Sequence, residues 1–268
     1  MSDLIKAALL GIVEGITEFL PVSSTGHLIL FNQFITFEPE FTKKFDVVIQ
    51  LGAILAVAVL YRKRLFPPAG GVTPFLKSDA FGLWKKTIAG VLPALIAGAL
   101  LHRQIEAALF NPLVVSIALA GGGIALIILE GSARRERIDS VSLLDYKTAF
   151  LIGLIQCLAM IPGTSRSAAT IIGAMLLGCS RIVAVEFSFF LAIPTMVAAS
   201  GYSLLKMGLS MTETEMGVLA VGFIVSFIVA WVVVKAFIGY VSRRDFKPFG
   251  YYRIVLAGIV LTYFYLIR

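Results

Sequence analysis

Charge is what this 268-residue sequence has least of. Lys, Arg, Asp and Glu make up 15% of it, where a soluble domain carries about 25%. With 59% hydrophobic residues and a mean hydropathy of +0.94, that shortage excludes an ordinary soluble fold and indicates a polytopic membrane protein. Cysteine is nearly absent. Cys157 and Cys179 both lie in apolar surroundings and read as small buried hydrophobes, not as a disulfide framework or a metal site. The N-terminus carries one Lys and lacks a small-residue cleavage site ahead of its acidic residues, so it reads as part of the mature chain rather than as a signal peptide. The net charge of +7 comes without an aromatic-interleaved basic stripe, so nucleic acid is not an expected partner and the loop cations report topology instead. Strand alternation is lacking too, which favours helices over a barrel.

Six long apolar runs remain, at 44–61, 86–101, 112–130, 185–206, 216–239 and 251–267, each expected to span a membrane. Two further regions are interrupted. Residues 4–36 are broken by Pro21 and a polar run, and residues 147–179 by Pro162 and PGTSRSAAT. Each half is only about 15 residues long, too short to cross, so each region reads as a re-entrant helical hairpin with a polar tip. The two regions resemble each other. Gly11-Ile-Val-Glu answers Gly153-Leu-Ile-Gln, and Pro21-Val-Ser-Ser-Thr answers Pro162-Gly-Thr-Ser-Arg-Ser. Three spans follow each hairpin, and an odd number inverts the second copy. The expected fold is an all-α polytopic membrane protein of one integral domain, with six transmembrane helices and two re-entrant hairpins. Its halves, 1–130 and 147–268, form an inverted repeat joined by a linker, 131–146. Most of the 23 Lys and Arg residues, Arg253 among them, fall on the linker side. The positive-inside rule makes that side cytoplasmic and puts both termini outside.

The chemistry is expected at the tips. In EGITEFLPVSSTGH, Glu14 to His27, two carboxylates sit between apolar flanks, at about 2.5–3.5 kcal/mol each on insertion scales. Glu14 and Glu18, spaced i, i+4, share a helix face and suit a hard divalent cation, Mg²⁺ or Ca²⁺. The alternatives are a proton-relay pair or one neutral, hydrogen-bonded Glu. Pro21 fits a first helical turn, and the hydroxyls of Ser23, Ser24 and Thr25 sit where caps are needed, at a helix start that attracts anions. His27 lies three residues beyond Ser24, which on a helix brings imidazole and hydroxyl to one face, as a base-activated nucleophile requires. Plain capping is the competing reading. In the second tip Arg166 is a five-donor cation shaped for bidentate phosphate, or a partner that merely neutralises Glu14 or Glu18. Thr164, Ser165, Ser167 and Thr170 surround it, and Gly163 lets the backbone approach closely. The phosphate-binding candidates are Ser23, Thr25, Gly26, Gly163, Ser165, Ser167 and Thr170.

Other features read as structural. His102 is an interfacial surface residue, and Gly121-Gly122-Gly123 marks close helix packing. Asp46, Gln50 and Glu186 orient the tips or serve as caps and packing. The stretch 67–86, with PPAGG, is a cytoplasmic loop. Trp84, Trp231 and the C-terminal tyrosines fit interfacial belts or helix packing.

The run Glu14–His27 together with Pro162–Thr170 resembles the bacitracin-resistance type of undecaprenyl-diphosphate phosphatase, and the similarity extends over the whole chain. Ala168 departs from the Gly that many members carry, a difference expected to touch packing more than chemistry. The resemblance implies a bacterial inner-membrane enzyme that removes the terminal phosphate of undecaprenyl diphosphate, recycles the lipid carrier for peptidoglycan synthesis and confers bacitracin resistance. It places the acidic, metal-holding pair on Glu14 and Glu18, the proposed nucleophile on Ser24, the supporting base on His27 and the phosphate-binding arginine on Arg166. Attack by His27 itself or by water directly stays open. So does a homodimer. The competing class is a polyprenyl-phosphate transporter or flippase built on the same inverted repeat.

Overall fold

The computed structural model describes residues 1–66, 75–132, 136–208 and 211–267. The PPAGG segment, Arg134, Arg135 and Arg268 lie outside the described residues, as do the side chains of His102 and Arg103. Local signals set the helix starts. Helix α1 (Asp3–Thr17) leads into the first tip, and α2 (Ser24–Phe31) leaves it. Helix α3 (Pro39–Leu60) is entered through the Glu38 carboxylate, which accepts the N–H groups of Glu40 and Phe41, both at 3.1 Å. A single turn, Arg62–Leu65, follows it. Helix α4 (Asp79–Leu109) runs through Pro93, and α5 (Pro112–Gly131) starts on Asn111, which accepts from Val114 N at 3.0 Å.

The second half repeats this order. Helix α6 (Tyr146–Gln156) is capped by Asp145 and runs on as the 3₁₀ turn Cys157–Met160. Helix α7 (Arg166–Leu176) leaves the second tip. Then come α8 (Arg181–Met207), α9 (Glu213–Val241), opened by a Thr212–Glu215 capping box, and α10 (Lys247–Thr262) with its terminal π turn. The linker is tied down. Gly178 O accepts the N–H groups of Arg137 and Ile138, and Ile138 forms an isolated bridge with Cys179. Cys157 and Cys179 are free thiols, the second one buried.

Helices α4, α5, α8, α9 and α10 are long and apolar enough to cross a membrane. The expected sixth span, α3, has 22 residues, but Glu40, Lys43, Lys44 and Asp46 occupy its first turns and shorten the apolar remainder. The hairpin halves are short, as their breaks require: 15 and 8 residues in the first, 11 and 11 in the second.

Packing is reciprocal between the halves. Helix α1 lies along α9 while α6 lies along α4; α3 meets α9 while α8 meets α4; α5 pairs with α10 and α3 with α8. Glycines in corresponding places, Gly11 and Gly153, allow two of the close helix approaches. A Cβ on Gly11 would stand 2.7 Å from Gly222 O, and one on Gly153 would collide with the Gly90 carbonyl. Gly153→Val is therefore expected to destabilise the protein by about 1–3 kcal/mol or more. Thermal unfolding in detergent should show it, while Gly98→Val, which has open space around it, should leave the transition in place. Phe19, in the first tip, is fully buried and meets Phe189 edge-on at 5.4 Å, so the tip is anchored in the main aromatic core.

Candidate active site

Each tip ends in a serine in the left-handed region, Ser23 at φ 73° and Ser165 at φ 72°. Such a conformation costs a non-glycine residue about 1–3 kcal/mol and persists only where its surroundings impose it. Both serines then cap the next helix: Ser23 Oγ accepts from Gly26 N and Ser165 Oγ from Ala168 N, each at 3.2 Å. Gly163 reaches φ 92° with its backbone against Val115 O, a place that a Cβ would block. The tips touch. Ser167 Oγ donates to Leu20 O at 2.8 Å and lies 2.9 Å from Ser165 Oγ.

The reactive groups meet across this junction. Ser24 Oγ donates to Glu18 Oε2 at 2.6 Å, a distance typical of a hydroxyl on an ionised carboxylate. The other oxygen of Glu18 accepts from Arg166 Nη2 at 3.3 Å, and Arg166 Nη1 donates to Ser188 O at 3.0 Å. The guanidinium also stands over the Phe19 ring, 5.9 Å from its centroid. Its Nε is buried and has no acceptor, a free donor in the middle of the site. Thr170 Oγ1 donates to Ser188 Oγ at 2.7 Å, which ties α7 to α8 beside Arg166. Thr25 is half-buried in the first turn of α2, and Gly26 packs against Leu119, where a Cβ would come within 3.2 Å of the side chain.

Glu14 is the unbalanced member. It is fully buried, and neither carboxylate oxygen has a hydrogen-bond donor. Two orphaned oxygens beside a second carboxylate fit a hard cation. Among the described residues no three His, Cys, Asp or Glu side chains form a protein-only cage. A pair of carboxylates can hold a hard cation such as Mg²⁺ when substrate phosphate and water complete its shell.

His27 corrects the sequence reading. Its ring does not pair with Ser24: Nδ1 lies 2.7 Å from Ser23 O and Nε2 2.6 Å from the Tyr252 hydroxyl. A carbonyl only accepts, so Nδ1 carries the proton and Nε2 accepts from Tyr252 in the neutral ring. The two rings also lie nearly parallel, 8° apart. Tyr252→Phe keeps the ring and removes one hydrogen bond, so it is expected to cost about 1 kcal/mol of stability, read as a lowered thermal midpoint.

Two residues were missed, both on α10. Tyr252 was grouped with interfacial tyrosines, and Arg253 was counted as a loop cation. Arg253 is instead fully buried, and its guanidinium donates to Leu119 O, Pro21 O, Ala118 O, Gly163 O and Thr164 O. An arginine two residues into an apolar run was the available signal. Gly122 makes room for it, since a Cβ there would strike the guanidinium. Asp46 accepts from Asn32 Nδ2 at 3.1 Å and ties α3 to the end of α2, while Glu186 pairs with Arg64 at 2.6 Å away from the tips.

Residues 7–259 match the family described as "Bacitracin resistance protein BacA". The chain belongs to this family. The matched span contains both tips, Tyr252 and Arg253. Among its relatives is a protein of Clostridioides difficile (strain 630) named "Undecaprenyl-diphosphatase 1", 51% identical over 99% of this chain and 97% of that protein. An "Undecaprenyl-diphosphatase" of Acetivibrio thermocellus is 49% identical with both chains fully covered. Another, of Limosilactobacillus fermentum, is 51% identical over 100% of this chain and 99% of its own. Such coverage carries the BacA-family match through every element that builds the two tips.

Proposed function

We propose that this BacA-family membrane protein hydrolyses undecaprenyl diphosphate to undecaprenyl phosphate and inorganic phosphate, returning the lipid carrier to cell-wall synthesis. One observation carries the chemistry: the Ser24 hydroxyl is bonded to Glu18, and Glu18 is bonded to Arg166 of the opposite half. Ser24 Oγ attacks the terminal phosphorus while its proton passes to Glu18. The bond to the bridging oxygen breaks, and the lipid monophosphate leaves. Water then attacks the phosphoserine, its protons leaving with the inorganic phosphate, and the proton on Glu18 returns to Ser24 Oγ as the P–O bond to serine breaks. Arg166 and the N–H groups at the starts of α2 and α7, near Ser23, Thr25, Gly26 and Gly163, hold the phosphoryl oxygens. Charge stabilisation of this kind dominates phosphoryl transfer. Ser165, Ser167 and Thr170, expected from the sequence to bind phosphate, have their hydroxyls engaged within the protein and shape the tip instead. His27 has both nitrogens engaged and secures the first tip rather than attacking.

Glu14 and Glu18 would hold a divalent cation, Mg²⁺ or Ca²⁺, which neutralises diphosphate charge when bound. The protein resides in the bacterial inner membrane with both termini outside, and its halves are inverted copies. A transporter on the same scaffold is not favoured, since it has no need of a serine held on a carboxylate. Phosphate release from undecaprenyl diphosphate in detergent tests this reading. Release with Mg²⁺, abolished by EDTA and restored by added Mg²⁺, is expected. No release by the wild type would sink the enzyme, and full release in EDTA would remove the metal.

A further inference from the structure

Arg253 is the most completely engaged cation among the described residues, and the mechanism above does not use it. It has no exposure and makes five hydrogen bonds, every one to a backbone carbonyl. Three of these acceptors come from the tips, Pro21 O from the first and Gly163 O and Thr164 O from the second. Pro21 O in the first and Gly163 O in the second each lie 3.2 Å from the guanidinium, and each sits two residues before the left-handed serine of its tip. Ser23 and Ser165, the serines in question, begin the helices that carry Ser24 and Arg166. One side chain from a third element thus grips the same point in both tips at the same distance. Two more bonds, to Ala118 O and Leu119 O, fix the guanidinium to α5, so the grip has a rigid base.

The geometry points to Arg253 as a positioning residue that sets the register of the two tips, and so the meeting of Ser24 and Glu18 with Arg166. The planar fork is what the task requires. A lysine ammonium keeps the charge but offers three donors from one atom, which cannot reach carbonyls spread around a plane. A second route to the same lesion leaves Arg253 in place. Gly122→Ala puts a methyl group into the guanidinium and pushes it off its acceptors while the charge stays. Apart from Arg253, the Arg166–Glu18 pair and the hydrogen bond from Ser167 Oγ to Leu20 O tie the tips directly. The second of these is a single neutral hydrogen bond and contributes little alone.

The activity consequence rests on the phosphatase reading, but the register claim does not, so the test has two arms. Hydrogen–deuterium exchange of the purified protein in detergent, followed by mass spectrometry, is compared for wild type, Arg253→Lys and Gly122→Ala. Faster exchange is expected in both tips together, around 21–26 and 163–168, with α9 and the middle of α8 unchanged. In the second arm, kcat for phosphate release from undecaprenyl diphosphate is expected to fall at least about tenfold in both variants, with KM within about threefold, as for a misplaced catalytic group. Exchange unchanged in the tips, faster in one tip only, or faster throughout the protein would overturn the register claim. Loosened tips with wild-type kcat would show that the register does not serve catalysis. An inactive wild type with loosened tips in both variants would instead strike the phosphatase reading and leave Arg253 in its place.

Discussion

Arg166→Ala is expected to lower kcat/KM for phosphate release by about 10³-fold or more, the range seen when an arginine that stabilises a transferring phosphoryl group is lost. The structure gives two reasons for an effect at this end of the scale. Arg166 is the cation bonded directly to Glu18, and its buried Nε has no acceptor of its own, so its removal strips both a charge and a free donor from the phosphate position. It also leaves Glu18, with a side chain only 9% exposed, lacking its ion-pair partner, which is costly for a buried carboxylate. Arg166→Lys is expected to recover little, because one ammonium cannot serve both Ser188 O and Glu18. Steady-state kinetics on protein that still elutes as a single species separates this loss from misfolding.

Ser24→Ala is expected to be at least as severe, about 10⁴-fold in kcat, since it deletes the attacking atom. The half-buried hydroxyl donates to Glu18 at 2.6 Å, so the alanine variant loses the nucleophile and leaves one carboxylate oxygen bare, while changing little else in volume. Acid quenching of the wild type during turnover should trap phosphate on the peptide that carries Ser24. If Ser24→Ala retains activity within about tenfold of wild type, water attacks directly and the covalent step falls, leaving Glu18 as the group that activates it.

The tips were legible because the bilayer penalises polar groups so heavily that a polar run between apolar flanks stands out in one sequence. Glu14, Glu18, Ser24 and Arg166 were found for that reason, and their convergence followed from the resemblance of the two broken regions. Spacing failed at His27. Ser24 and His27 share the helix that begins at Ser24, but the i, i+3 spacing names only a common face and not the partners each side chain takes beyond it. From that first position the Ser24 hydroxyl reaches back to Glu18, while the His27 ring returns to its own Ser23 carbonyl and to Tyr252. Arg253 and Tyr252 lie more than two hundred residues from the first tip, and no local pattern links them to it. Helix ends were also shifted: α4 extends well beyond the expected 86–101, because polar residues continue a helix outside its apolar core.

The central claim is that one catalytic unit is assembled from two halves of the chain, Glu18 from the first and Arg166 from the second. A double-mutant cycle on kcat/KM with Glu18→Gln, Arg166→Lys and the pair measures it most directly. Groups that act as a unit lose far less together than the product of their separate losses. The double variant should therefore be only slightly slower than the worse single one. Losses that multiply cleanly would mean that the two residues act independently, and the two tips would not form one site.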